Sequence, residues 1–136
     1  MIKVLTVSDV VSRDLHPTFD AARYGEISLV LACGDLPPEY LAFLGRATQA
    51  PLFYVRGNHD LRFQAGPPPG CVDLHARLAA FRGLKLLGLE GSMWYNGGSQ
   101  QYTEGDMRRI VRRLRPAIRR HGGIDLVIAH APPYAL

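Results

Sequence analysis

Short apolar runs alternate with segments of helical spacing along most of the chain. The apolar runs, which are rich in β-branched residues, predict strands at Ile2–Val7, Ile27–Cys33, Leu52–Val55, Leu84–Leu89 and Ile124–Ala129. These runs are almost uniformly apolar, as expected for strands that are covered on both faces. Helical spacing predicts helices near Thr18–Tyr24, Pro38–Ala47 and Glu104–Arg120. The alternation is typical of an α/β fold.

The third predicted helix has one apolar side and one basic side. Thr103 and Asp106 form the pattern of a capping box at its start, and Pro116 predicts a kink or a division into two helices. The apolar positions are Met107, Ile110, Val111, Leu114 and Ile118. The basic positions are Arg108, Arg109, Arg112, Arg113, Arg115, Arg119 and Arg120. We interpret them as a solvated helix face, because no aromatic side chains interleave with the arginines to stack on bases.

Length, charge and cysteine content narrow the class of protein. The 136 residues, of which 47% are hydrophobic, predict a single domain over residues 1–136. No apolar run approaches the roughly 20 residues of a membrane helix, and no signal-peptide pattern is present, so we expect a cytoplasmic protein with no membrane partner. The excess of basic residues that gives the net charge of +4 is concentrated in the third predicted helix, which contains seven arginines. The cysteines, Cys33 and Cys71, are predicted to be free thiols.

Polar residues suited to metal binding or proton transfer follow four of the predicted strands. They are Ser8-Asp9, Gly34-Asp35, Gly57-Asn58-His59-Asp60 and His130. Because the carboxyl ends of parallel strands meet at one edge of a sheet, we expect these side chains to converge there. A single Asp after a strand is most often a turn former or a helix cap, but four coincident strand ends argue against that interpretation. Mixed oxygen and imidazole ligands suit Mn, Fe or Zn.

The order and approximate spacing of these segments resemble those of the calcineurin-like metallophosphoesterases. The segments that carry the resemblance are Ser8-Asp9, Gly34-Asp35, Gly57-Asn58-His59-Asp60 and Ala129-His130-Ala131-Pro132. The resemblance implies a sandwich of two mixed sheets flanked by helices. It also implies a site for two divalent metal ions, with Mn expected first and Fe or Zn as alternatives. Asp35 would bridge the ions, Asp9 would bind the first, and Asn58 and His130 would bind the second.

The activity that the resemblance implies is hydrolysis of a small-molecule phosphomonoester or phosphodiester. A metal-bound hydroxide would attack phosphorus, and His59 would act as the general acid that protonates the leaving alkoxide. Asp60 would orient His59.

Two departures from the family pattern affect the metal ligands. Val11 stands where the family has the His of an Asp-x-His motif, and the Gly-His-x-His segment that ends the family domain is absent. The resemblance then implies that the second metal site is better preserved than the first. It also implies a truncated domain that matches only the N-terminal part of the family fold. We therefore expect an incomplete second sheet, whose unpaired edge leads either to self-association into a homo-oligomer or to poor solubility.

Other functions remain open on the sequence alone. The missing ligands favour a non-catalytic scaffold on the same fold, and the arginine-rich helix leaves a nuclease or nucleic-acid-binding function as a further alternative. Trp94 and Tyr95 precede the turn Asn96-Gly97-Gly98, and they could line a substrate pocket. Such a pair more often packs within a hairpin. Nothing in the sequence identifies the alcohol that is joined to the phosphate.

Overall fold

The computed structural model describes residues 1–60 and 66–132. The strands are β1 Val4–Val7, β2 Leu29–Ala32, β3 Leu52–Tyr54, β4 Cys71–Asp73, β5 Leu78–Phe81, β6 Leu84–Leu89, β7 Ser92–Met93, β8 Gln101–Tyr102 and β9 Leu126–Ala129. The helices are α1 Ala21–Tyr24, α2 Pro38–Thr48 and α3 Glu104–His121. None of the described helices is long and apolar enough to cross a membrane.

The first sheet has the strand order β1-β2-β3-β4, and all of its described pairings are parallel. Val4 pairs with Leu29 and Val30 pairs with Leu52, so β1, β2 and β3 end at the same edge. Every residue of β2 is buried. This burial on both faces explains why the β2 sequence is uniformly apolar.

The second sheet has the order β5-β6-β9, with β5 antiparallel and β9 parallel to β6. The parallel pairing follows from α3, which lies between β6 and β9 in the chain and returns it to the same end of the sheet. A separate parallel pair is formed by β7 and β8. The predicted α/β class is confirmed. Of the two mixed sheets that were expected, the second is mixed, and all described pairings of the first are parallel.

Two hydrophobic cores lie on opposite faces of β2, because successive side chains of a strand point to opposite sides. The core between the first sheet and α2 includes Val30, Ala32, Leu41 and Leu44. The core between the two sheets includes Leu29, Leu31, Leu86 and Ile128. The first sheet is therefore covered by a helix on one face and by the second sheet on the other.

The helix α3 packs against β5 and β8 as an outer layer. Its capping box is confirmed: Asp106 N–H donates to Thr103 Oγ1 at 3.2 Å, and Thr103 N–H donates to Asp106 Oδ2 at 3.1 Å. All seven arginines of the predicted basic side are exposed, as expected of a solvated face. Of the two outcomes predicted at Pro116, a kink or a division, the division is wrong, because one helix runs through that residue.

Several element boundaries differ from the sequence prediction. The first strand begins at Val4 rather than at Ile2. The first helix is a single turn, Ala21–Tyr24, whose cap is the Asp20 carboxylate accepting from the N–H groups of Ala22 and Arg23. The strands β4, β5, β7 and β8 were not predicted. Both cysteines are free, as predicted, and burial raises the pKa of Cys71 to about 11.

A buried carboxylate joins the two sheets close to the end of β3. Glu90, which follows β6, is only 3% exposed. Its Oε2 accepts from Arg56 Nε at 2.8 Å, and its Oε1 accepts from the Tyr102 hydroxyl at 2.6 Å. The backbone N–H of Gly91 also donates to the carbonyl of Arg56 at 2.7 Å. Because Arg56 directly precedes Gly57, these bonds fix the start of the loop that carries Asn58 and His59.

Replacing Glu90 by Ala should destabilise the fold, because it leaves the Arg56 guanidinium without its buried partner. We expect Glu90→Ala to lower the free energy of unfolding by about 2–4 kcal/mol, measured by urea denaturation. The matched control is Glu26→Ala at an exposed position, which should change it by less than about 0.5 kcal/mol. Equal losses in the two variants would contradict a structural role for the Glu90 bonds.

Candidate metal and catalytic site

Asp9, Asp35 and His130 come together at the strand ends. Each offers a ligand atom, and these atoms all lie within 4.8 Å of one another. Asp9 follows β1 and Asp35 follows β2 in the first sheet, whereas His130 follows β9 in the second sheet. The site therefore lies where the edges of two sheets meet, rather than at the edge of one sheet as the sequence pattern predicted.

The two carboxylate residues share an uncommon backbone conformation. Asp9 has φ 61° and Asp35 has φ 56°, which lie in the left-handed region. Asp enters this region more readily than most residues, yet the conformation persists only where its surroundings hold it. The N–H of Asp9 donates to the carbonyl of Gly34 at 3.0 Å, and the N–H of Asp35 donates to Asp60 Oδ2 at 2.8 Å. Both aspartates are thereby fixed through their own backbone.

Two glycines allow the loops of the site to approach each other closely. A Cβ atom on Gly57 would lie 2.6 Å from Asp35 Cγ and would overlap its Oδ1. A Cβ atom on Gly34 would lie 2.7 Å from His130 Nδ1 and 2.6 Å from the backbone nitrogen of Gly57. Any side chain at either position would therefore push the candidate ligands apart.

His130 is oriented as a metal-binding histidine would be. Its Nδ1 lies 2.8 Å from the carbonyl oxygen of Cys33, so Nδ1 carries the proton and donates it to that carbonyl. In the neutral ring, Nε2 then has a free lone pair, and it lies 3.5 Å from Asp35 Oδ2. Either a proton on Nε2 or a bound cation would stabilise these two atoms at this separation. A backbone carbonyl that fixes the second ring nitrogen is the usual support for a ligating imidazole.

His59 is also paired with Asp35. Its Nδ1 is 2.8 Å from Asp35 Oδ2, and its backbone N–H donates to Asp35 Oδ1 at 3.0 Å. The hydrogen bond and the charge of Asp35 raise the pKa of His59. Burial would raise the pKa of Asp35, but the bonds from His59 and the charges of His59 and His130 lower it. The imidazole side chain is 73% exposed, so it is accessible to a substrate.

Asp60 has a different role from the expected one. Its side chain is buried, and Oδ2 accepts from the backbone N–H of Gly57 at 2.7 Å and of Asp35 at 2.8 Å. Burial raises the pKa of Asp60 despite these two bonds. The expectation that Asp60 orients His59 is corrected: the Asp35 carboxylate holds the ring, and Asp60 ties together the loops that follow β2 and β3.

Asn58 is connected to a residue that is distant in sequence, Tyr95. The Asn58 Nδ2 donates to the Tyr95 hydroxyl at 3.0 Å and lies 3.4 Å from either ring nitrogen of His59. The predicted metal contact of Asn58 would therefore fall to its carbonyl oxygen. The hairpin interpretation of Trp94 and Tyr95 is wrong, because β7 and β8 pair in parallel. In the sequence, the one signal that distinguishes these two residues is their position before a glycine turn.

Val11 packs half-buried against the core under α2. It cannot coordinate a metal there, in agreement with the sequence prediction. Next to the carboxylates is an open pocket of about 170 Å³, lined by Asp35, Leu36, Pro37, His59 and Asp60. The arrangement offers carboxylate and imidazole ligands next to an exposed imidazole that can donate a proton.

A comparison with protein-family models finds no match to this sequence, and a comparison with curated proteins finds none either. The geometry of the described residues is therefore the basis for a functional proposal.

Two glycine-to-alanine substitutions should have opposite effects on stability. Gly57→Ala places a methyl group against Asp35, and we expect it to lower the free energy of unfolding by about 1–3 kcal/mol. Gly45→Ala lies within α2 with no atom within 4 Å of the new Cβ, and it should raise that free energy by about 0.5–1 kcal/mol. Urea denaturation of both variants measures the difference. A stabilised Gly57→Ala would contradict the close approach.

The pairing of His59 with Asp35 predicts a defined pH dependence in the metal-free protein. Because the pKa of His59 is raised in the folded protein, the stability that the fold gains from protonated His59 is complete below the unfolded pKa of 6.5. It is lost as the pH rises through the folded pKa. Because the pKa of Asp35 is lowered, the stability that the fold gains from the ionised carboxylate is complete above the unfolded pKa of 3.8. It is lost as the pH falls through the folded pKa. The interaction is therefore complete between those two values.

NMR titration of the imidazoles tests this pairing. We expect His59 to titrate above 6.5 in the unaltered chain and to return toward that value in Asp35→Asn. His121, at the end of α3, provides the internal reference in the same spectra. A His59 pKa that is identical in the two proteins would show that Asp35 does not hold the ring in solution.

Proposed function

We propose that this chain is a metal-dependent phosphoesterase that hydrolyses a phosphomonoester or a phosphodiester of a small molecule. The observation that carries the proposal is the cluster of Asp9, Asp35 and His130, whose ligand atoms lie within 4.8 Å of one another beside the exposed imidazole of His59. Metal ligands and a proton donor around one carboxylate are groups that metal-dependent phosphoester hydrolysis uses.

The donor set fits a divalent transition metal. Asp9, Asp35 and His130 would hold it, with the Asn58 carbonyl oxygen as a further ligand, and Mn is the first candidate with Fe or Zn as alternatives. The fixed Nδ1–H of His130 supports this fit because it leaves Nε2 free to coordinate. When bound, such an ion lowers the pKa of a water molecule and polarises a phosphoryl oxygen.

His59 would supply the proton for the leaving group. Because Nδ1 is bonded to Asp35, Nε2 is the ring nitrogen that remains to donate toward a substrate. The raised pKa of His59 favours the protonated ring near neutral pH, which is the form that a general acid needs. Asp60 would contribute indirectly, since it positions Asp35 through the backbone.

A second candidate is a non-catalytic scaffold. The observation that favours it is Val11, which packs against the core at the position where the resembling family has a metal ligand. Calorimetric titration with Mn separates the two functions: less than about a tenth of an equivalent bound at Mn excess would favour the scaffold, because no metal would then be available for chemistry.

Hydrolysis assays with two leaving groups test the catalytic proposal. We expect turnover of a nitrophenyl phosphate and of an alkyl phosphate to require added Mn and to stop with a chelator. His59→Ala should lower turnover of the alkyl phosphate by about 10²–10⁴-fold. The loss should be smaller for nitrophenyl phosphate, whose leaving group needs little protonation.

The matched control is His121→Ala, at the end of α3, which should retain activity within about twofold. Full activity of His59→Ala on the alkyl phosphate would contradict the proposal. Equal losses on both substrates would assign His59 a structural role rather than that of an acid.

A further inference from the structure

Two large aromatic side chains on the loop between β7 and β8 are exposed to solvent. Trp94 and Tyr95 are each 55% exposed. Aromatic side chains gain free energy mainly by burial, so an exposed adjacent pair commonly marks a binding surface.

The backbone that carries this pair is held by a compact set of hydrogen bonds. Gln101 Oε1 accepts from the N–H groups of Tyr95 and Asn96, both at 3.1 Å. Gln101 Nε2 donates to Asn96 Oδ1 at 2.7 Å, and the N–H of Trp94 donates to the carbonyl of Tyr102 at 3.0 Å. The rings are therefore presented by an ordered loop, which reduces the conformational entropy that is lost on binding.

The aromatic pair is also continuous with the candidate site. The Tyr95 hydroxyl accepts from Asn58 Nδ2 at 3.0 Å, and Asn58 directly precedes His59. The polar end of Tyr95 is thus engaged with the site, and its ring remains half exposed.

We propose that Trp94 and Tyr95 form a subsite for a planar aromatic group of the substrate, of the size of a nucleobase. This inference rests on the proposed phosphoesterase function, because the phosphoryl group of the same molecule would lie at Asp35 and His59. Base stacking on an aromatic side chain needs no particular hydrogen-bond pattern, so the subsite selects for a planar ring rather than for one base. The substrate class is then a nucleoside monophosphate rather than a sugar phosphate.

Fluorescence titration tests binding separately from catalysis. Trp94 is the only tryptophan of the chain, so intrinsic fluorescence reports on this subsite. In the absence of metal, adenosine 5′-monophosphate should change the emission saturably, and ribose 5-phosphate should not. Tyr95→Leu should weaken nucleotide binding about tenfold. Val72→Ala, which removes an exposed apolar side chain from β4, is the matched control and should bind as the unaltered chain does.

Kinetics with the same two compounds complete the test, because both release a primary alcohol and differ in the base. The ratio of kcat/KM for the nucleotide to that for the sugar phosphate should fall about tenfold in Trp94→Ala. Equal kcat/KM values in the unaltered chain would overturn the subsite and leave the phosphoesterase proposal standing. Saturable nucleotide binding without hydrolysis of either compound would support the subsite and contradict the proposed function.

Discussion

One carboxylate oxygen, Oδ2 of Asp60, accepts hydrogen bonds from the backbone N–H groups of both Gly57 and Asp35. Those N–H groups belong to the loops that follow β3 and β2, and buried backbone donors without partners are costly. A single buried side chain therefore satisfies both loops and sets the distance between them. Asp35 lies on one loop and His59 on the other, so their contact at 2.8 Å depends on Asp60.

The same loop is also fixed at its start. Arg56 is bonded to the buried Glu90 of the second sheet, and Asp60 is bonded to the loop after β2. Gly57 thus lies between two anchors, and the absence of a side chain lets Asp35 approach it. The left-handed backbone of Asp35 is held by these contacts, since an isolated chain would not favour it.

The parts of the structure that follow from local sequence were predictable. The apolar runs predicted the strands β2, β3 and β6. The positions of Asp9, Asp35 and His130 directly after predicted strands identified the residues that converge. The short strands β4 and β5 were missed, because β4 has three residues with Val72 exposed and β5 contains Ala79 and Ala80, which have little strand preference.

The pattern of residues along the sequence did not predict the geometry of the loops. The pairing of His59 with Asp35 rather than with Asp60 depends on which hydrogen-bond donors each carboxylate meets, and residue spacing does not determine these. Asn58 and Tyr95 are in contact although they lie 37 positions apart in the sequence. Tyr95 lies in the loop between β7 and β8, which are parallel strands of two residues each. Strands of that length give almost no periodic signal.

The outer helix α3 has no fully buried residue, whereas β2 is buried throughout. Its apolar side is covered only in part, and its seven arginines repel one another along the exposed side. We expect such an element to open locally at a lower free energy than the central strands, because it makes few buried contacts. The Asp60 bonds between the loops that bear Asp35 and His59 involve no residue of α3, so local opening of α3 leaves these two bonds in place.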